Sequence, residues 1–237
     1  MFGFGIDKKT IYIILGIILG VTVLGKLTNP ASLLSLLFVI PGVLIAITFH
    51  EYAHAIVAYK LGDDTPKYQG RITLNPFAHL DPVGSILLLV AGFGWGKPVE
   101  INPTNFNRNI KMSTGEALVS LAGPVMNFIL AIIFAVIYGL IERFVISSNI
   151  TISIIQGILL SIIVTNIGLG IFNLIPVYPL DGSKIFKNIL PYKAREWMEA
   201  REQIFYIVFI VLWISGILGQ IITPIISAAF NLLMKIV

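Results

Sequence analysis

Long, mostly apolar runs alternate with short charged segments along this chain. A membrane-spanning helix needs about 20 predominantly apolar residues. Runs that approach or exceed this length lie at 10–25, 30–60, 117–141, 144–180 and 203–234. The pattern predicts an all-α polytopic membrane protein with about five or six transmembrane helices.

Proline and glycine divide the longer runs. The run 144–180 is too long for one helix, and we expect its helix to stop before Pro176 and Pro179, because proline does not continue a helix. The run 203–234 is interrupted by two glycines and by Pro224. It therefore predicts a span followed either by a short apolar helix or by a return of the chain.

The segment 82–96 differs from the other apolar runs, because it is short and rich in glycine. It is too short for a comfortable span, so it predicts a re-entrant or interfacial segment. The flanking pieces 67–74 and 97–101 resemble short strands. A small sheet at the membrane surface would satisfy their backbone hydrogen-bonding groups.

Composition agrees with a membrane protein and limits the chemistry. The chain is 57% hydrophobic and 12% charged, with a mean hydropathy of +0.92, whereas a soluble domain has about 25% charged residues. Cytoplasmic loops of membrane proteins carry excess Lys and Arg, so the net charge of +4 does not indicate a nucleic-acid partner. Cysteine is absent, so any metal must be held by histidine, carboxylate or water.

Basic residues also predict the orientation in the cell membrane. A cytoplasmic N-terminus places most Lys and Arg inside, in the first residues and in the segments 60–111 and 181–202. Lys8 and Lys9 before the first apolar run resemble the start of a signal peptide. No small-x-small cleavage site follows before the next run, so we expect an uncleaved first span.

The sequence His50-Glu51-x-x-His54 lies in the C-terminal half of the second apolar run. Two imidazoles four residues apart on a helix differ by about 40° of rotation and about 6 Å of rise, so both can reach one metal ion. Glu51 points about 100° away from His50, close enough to act on the attacking water without being a ligand. Polar side chains inside a membrane segment are rare unless they have a function.

The third protein ligand is open between Asp181 and His79, since both residue types bind zinc. Asp181 ends a long apolar run on the same predicted side as the motif, which favours it, although it could instead cap a helix that begins near 182. His79 follows an Asn-Pro turn, so instead of being a ligand it could be a surface histidine in that turn. Asn173, eight positions before Asp181, could donate to a developing oxyanion or to a neighbouring helix.

The chain resembles the site-2 protease family of intramembrane zinc metalloproteases in two motifs. These are His50-Glu51-x-x-His54 and Asn173-x-x-Pro176-x-x-Pro179-x-Asp181-Gly182. The element Gly123-Pro124-x-x-Asn127 is similar as well, and the stretches 70–82 and 94–99 resemble a compact prokaryotic branch of that family. The resemblance extends over the core 42–190.

The resemblance implies a role for each motif residue. His50, His54 and Asp181 would bind one Zn²⁺ per chain, Glu51 would be the general base, and Asn173 would lie near the substrate carbonyl. His79 is an accessory candidate. We expect a single protease domain over 1–237, with no evident PDZ-like or CBS-like extension. The family's frequent Asp-Gly-Gly-Arg is Asp181-Gly182-Ser183-Lys184 here, which keeps the ligand.

The sequence thus predicts an intramembrane zinc metalloprotease that hydrolyses peptide bonds of transmembrane protein substrates. Its active site would lie within the lipid bilayer, near the cytoplasmic side. A membrane metal transporter or metal-binding regulatory protein is the alternative, because intramembrane His, Glu and Asp also mark ion pathways. A transporter would distribute its ligands along a path rather than around one point.

Overall fold

The computed structural model of the chain describes residues 30–82, 84–85, 95–145 and 149–237, together with Gly20, Gly25 and Thr28. This part of the chain is mostly helical, as the sequence predicted. The predicted first span at 10–25 lies outside the described residues apart from Gly20 and Gly25, and so does most of the predicted re-entrant segment at 82–96.

Eight helices follow one another in the described ranges. They are α1 (Pro30–Lys60), α2 (Thr65–Tyr68), α3 (Met112–Phe144), α4 (Ile150–Asn173), α5 (Asp181–Ile189), α6 (Tyr192–Glu199), α7 (Glu202–Ile214) and α8 (Ile217–Met234). Two 3₁₀ turns, Pro76–Ala78 and Pro103–Asn105, lie between α2 and α3. The helices α1, α3, α4 and α8 are long and apolar enough to cross a membrane, which makes the chain a multi-pass membrane protein.

Helices α1, α3 and α4 pack against one another and form the centre of the molecule. Small and branched residues lie between α3 and α4, where Ala131 and Ala135 are buried with Ile163 and Ile167. Alanine lets two membrane helices approach closely, and the branched side chains fill the remaining space. The opposite face of α3 exposes a row of large apolar side chains, as expected for contact with lipid.

The prolines and glycines end helices as the sequence indicated. Helix α4 ends at Asn173, before Pro176, so the long run 144–180 does not continue as one helix. The run 203–234 divides at Gly216, whose φ of +77° is a conformation that favours glycine. The shorter helix, α7, comes first and the longer α8 follows, which reverses the expected order of a span and then a short helix.

The two strands expected at 67–74 and 97–101 are wrong, since the described residues contain no strand and only one isolated bridge, between Leu80 and Gly96. Pro66 near the start of α2 instead favours a helical turn. Buried Arg71 donates to the carbonyl groups of Ala78, Lys97 and Pro98, and the last two belong to the segment that was expected to form a strand. The guanidinium therefore replaces strand pairing as the link between these two segments.

Candidate metal centre

His50 and His54 lie one turn apart on α1, and both are buried. Their Nε2 atoms are 3.0 Å apart, and their rings meet edge to face with centroids 4.6 Å apart. The helix continues through the motif without a break, so the offset expected for residues four positions apart is present. The two side chains converge on one point.

Asp181 lies beside the two histidines, although it is far from them in the sequence. Its Oδ2 atom lies 3.1 Å from Nε2 of His50 and 3.1 Å from Nε2 of His54. Asp181 is the first residue of α5, whereas the N-cap is Leu180 and shows no side-chain capping bond. Asp181 therefore does not cap this helix. The three residues form a group able to hold a metal ion.

Contacts at both ends of α5 fix the position of Asp181. Ser183 is buried, and its hydroxyl donates to the carbonyl of Leu180 at 2.7 Å. Lys187, one turn after Ser183, pairs with Glu199 of α6 at 2.9 Å and with Glu116 of α3 at 3.9 Å. Burial alone lowers the pKa of Lys187, but Glu199 and Glu116 outweigh burial and raise it, so the ammonium stays charged.

Hydrogen bonds from the far side of each imidazole set its tautomer. Nδ1 of His54 lies 2.6 Å from the carbonyl oxygen of Val119, which only accepts, so that nitrogen carries the proton. Nδ1 of His50 lies 2.7 Å from Oδ1 of Asn127. The amide nitrogen of Asn127 donates to the carbonyl of Ala46, so its oxygen faces His50 and Nδ1 again carries the proton. Both Nε2 atoms are left with lone pairs.

The three facing atoms fit a zinc ion. Two lone-pair nitrogens and a carboxylate oxygen face one another at 3.0–3.1 Å, and buried Oδ2 of Asp181 has no hydrogen-bond donor within the described ranges. Zinc bonds of about 2.0–2.1 Å to nitrogen and oxygen give tetrahedral edges of about 3.3 Å. A buried carboxylate oxygen without a hydrogen-bond donor needs positive charge beside it, and a metal ion held by the two neutral imidazoles would supply that charge.

Gly123 of α3 provides the space beside the two histidines. A Cβ atom at this position would collide with Nε2 of His54 and would lie 2.7 Å from Nε2 of His50. Only glycine lets α3 approach the centre this closely. The glycine of the Gly123-Pro124-x-x-Asn127 element thus forms one wall of the centre, and its asparagine bonds a ligand candidate.

Glu51 lies next to the centre but outside the group of three ligand candidates. It is 9% exposed, and its Oε2 accepts a hydrogen bond of 3.1 Å from the backbone N–H of Val99. The segment around Val99, which Arg71 holds, therefore covers the carboxylate. A carboxylate beside a metal centre and not ligated to it has the arrangement of a general base.

His79 and Asn173 occupy other positions. His79 is fully buried, so the alternative that it is a surface turn histidine is wrong. Its Nε2 donates to the carbonyl of Thr73 at 2.8 Å, and its backbone carbonyl accepts from the N–H of Lys97 at 2.7 Å, which gives it a role in supporting the loop. The side chain of Asn173 donates to the carbonyl of Leu169 in its own helix at 3.0 Å.

Sequence reasoning missed Asn166, whose side chain bonds that of Asn127 at 3.0 Å. The signal was present in the sequence. Asn166 lies seven positions before Asn173 in an uncharged run, so the two share a helix face. An uncompensated amide is costly in a membrane helix, so each such residue indicates a partner.

Comparisons with known proteins agree with this geometry. The sequence model of Peptidase family M50 matches residues 139–216. The chain is 40% identical over 208 residues (87% of its length and 93% of the relative) to YwhC of Bacillus subtilis, which is named as a candidate zinc metalloprotease. It is 27% identical over 184 residues (78% of its length and 42% of the relative) to zinc metalloprotease MJ0392 of Methanocaldococcus jannaschii. No solved structure matches the chain significantly.

Proposed function

Because the chain belongs to peptidase family M50 and is a zinc metallopeptidase of the membrane, we propose that His50, His54 and Asp181 hold its zinc ion and that Glu51 is its general base. One observation supports the ligand set above all. Three metal-binding atoms from two distant parts of the sequence lie within 3.1 Å of one another, with no proton available between them.

The chemistry is hydrolysis of a peptide bond. A bound zinc ion supplies a Lewis acid for the scissile carbonyl and makes water more acidic. Glu51 takes a proton from the attacking water, whose oxygen bonds the carbonyl carbon, and later delivers a proton to the amine nitrogen as the C–N bond breaks. The histidines and Asp181 stay deprotonated at the ligating atoms, while the Nδ1–H bonds to Val119 and Asn127 keep the rings in place.

The substrates are membrane-embedded proteins, and we propose that they are cut in an extended conformation. A helix hides its peptide bonds in its own hydrogen bonds, so the cut segment must first unwind. We propose that Asn173 then exchanges its bond to Leu169 for one to the scissile carbonyl. The metal-transport alternative is not favoured, because the ligand candidates converge on one point rather than along a path.

The test separates Asp181 from His79, the two residues between which the sequence left the third ligand open. We expect Asp181→Ala to lose most of its zinc and all cleavage of a transmembrane peptide, because two histidines alone make an incomplete site. His79→Ala should keep its zinc, although it weakens the loop. Zinc content per chain is measured on both purified variants in detergent. A zinc-loaded Asp181→Ala beside a zinc-free His79→Ala would overturn the ligand set.

A further inference from the structure

Two buried asparagines connect the candidate metal centre with helix α4. Asn127 of α3 and Asn166 of α4 are both 0% exposed. Nδ2 of Asn127 donates to Oδ1 of Asn166 at 3.0 Å, and Oδ1 of Asn127 lies 2.7 Å from Nδ1 of His50. The three side chains therefore form a continuous series of hydrogen bonds from α4 through α3 to α1.

The direction of this series is set at its α4 end. Nδ2 of Asn166 donates to the carbonyl of Ile162 one turn earlier at 2.9 Å, so Oδ1 of Asn166 is left to accept. Asn127 consequently turns its amide nitrogen towards Asn166, and it donates from the same nitrogen to the carbonyl of Ala46 at 3.1 Å. Its oxygen must then face His50, which places the proton of His50 on Nδ1.

We propose that Asn166 is a positioning residue that holds His50 in its metal-binding tautomer by acting through Asn127. With the amide of Asn127 turned over, its nitrogen would face Nδ1 of His50 and would move the ring proton to Nε2, where it blocks a metal. The carbonyl of Ala46 and Oδ1 of Asn166 both accept from the amide nitrogen of Asn127, so both oppose that rotation. The inference rests on the proposed role of His50 as a ligand.

The primary test is zinc affinity, measured by competition with a chelator on the purified full chain in detergent. Asn166→Leu removes the acceptor and should weaken zinc binding about 10-fold, at the low end of the range for groups that support a ligand. Asn166→Asp in its protonated form keeps both an acceptor and a donor, so it should restore wild-type affinity. Thr48→Val is the matched control, because Thr48 is a buried hydroxyl without a partner among the described residues.

A double-mutant cycle tests whether Asn166 acts through Asn127. Asn127→Leu should weaken zinc binding about 10–100-fold. Adding Asn166→Leu to Asn127→Leu should then cost nothing more, because the series is already broken. Additive losses, or wild-type affinity in Asn166→Leu, would overturn the inference. If Asn166→Leu does not fold, Asn166→Ala takes its place in the same cycle.

His50→Ala distinguishes a failure of this inference from a failure of the proposed function. If His50→Ala keeps its zinc, then His50 is not a ligand, and both the ligand set and the inference are overturned. If His50→Ala loses its zinc while the Asn166 variants bind it like the wild type, the ligand set stands and only the role of Asn166 is overturned.

Discussion

At the residue scale, Glu51 and its neighbour His50 illustrate how a rotation of about 100° between successive helical residues separates two roles. We predict that Glu51→Gln keeps its zinc and loses cleavage by about 10²–10⁴-fold, since the amide preserves the shape but cannot take a proton. Zinc content and cleavage of a transmembrane peptide are measured on the same sample. Glu142→Gln, at the far end of α3, is the control and should cut normally. Substantial cleavage by Glu51→Gln would remove Glu51 as the base.

Gly123 gives a second prediction at this scale. Gly123→Ala places a methyl group against both imidazoles, so α3 must move away and zinc affinity should fall by about 10-fold or more. Gly168→Ala is the matched control in α4, because its added Cβ would lie 3.4 Å from its nearest neighbour, an ordinary contact. Chelator competition on both variants gives the result. Equal affinity in the two would show that α3 does not confine the centre.

The extent to which the centre was predictable depends on how far apart its residues lie in the sequence. His50, Glu51 and His54 share one helix, and the geometry of that helix alone brings the two imidazoles together. Asp181 could not be separated from His79 by chemistry, because both are acceptable ligands and only the packing of α5 against α3 places one of them at the histidines. The tautomers depend on contacts between helices, which no local pattern contains.

At the element scale, the buried side chain of Asp63 connects the end of α1 with the turn that precedes α3. It accepts from the backbone and hydroxyl of Thr65, from the N–H of Asn102 at 2.6 Å and from the amide of Asn105 at 3.0 Å. Burial by itself raises the pKa of Asp63, but the hydrogen bonds from Thr65, Asn102 and Asn105 outweigh burial and lower it. The carboxylate thus links the loop between α2 and α3 to the helix that carries the site.

The lowered pKa of Asp63 has a consequence for stability. Its stabilisation is fully present above the unfolded-state pKa of about 3.9 and is lost as the pH falls through the lower folded-state pKa. Asp63→Asn leaves the N–H of Asn102 facing an amide and should cost about 1–2 kcal/mol at pH 7. Thermal unfolding in detergent at pH 7 and at pH 3 measures both effects. The difference between wild type and Asp63→Asn should shrink at pH 3.

Asp64→Asn is the control for that experiment. Asp64 is exposed and makes no side-chain capping bond at the start of α2, so its replacement should change the melting temperature little at either pH. If Asp63→Asn melts with the wild type at pH 7, the carboxylate does not fasten the loop. If the two Asn variants lose the same stability, the effect belongs to surface charge rather than to the hydrogen bonds of Asp63.

Elements were predictable where a membrane determines them. The apolar runs predicted α1, α3 and α4 as spans, because an apolar span must satisfy its backbone as a helix. The same reasoning failed between α2 and α3, where strands were expected at 67–74 and 97–101. There a single buried guanidinium, that of Arg71, binds the carbonyl groups that strands would pair. A side chain that substitutes for a sheet leaves no periodic signal in the sequence.

At the scale of the whole molecule, the open question is which end of each candidate spanning helix faces the cytoplasm. The two ends of α3 are the best place to measure this orientation. Helix α3 has 33 residues. At about 1.5 Å per residue it is about 50 Å long, more than the hydrocarbon core of about 30 Å. We therefore expect residues beyond its two ends to face opposite sides of the membrane. The excess of Lys and Arg before α3 and after α4 indicates that the start of α3 faces the cytoplasm.

The absence of cysteine makes this orientation directly measurable. We predict that Asn109→Cys reacts with a membrane-impermeant maleimide only when the cytoplasmic face is open, and that Ser148→Cys reacts from the outside of intact cells. Both variants must still cut a transmembrane peptide, which shows that the labelled protein is the native one. The reverse labelling pattern would mean that the protein has the opposite orientation, with the metal centre nearer the outer face. Labelling of both positions from one side would mean that α3 does not cross the membrane, because no single crossing can leave its two ends together.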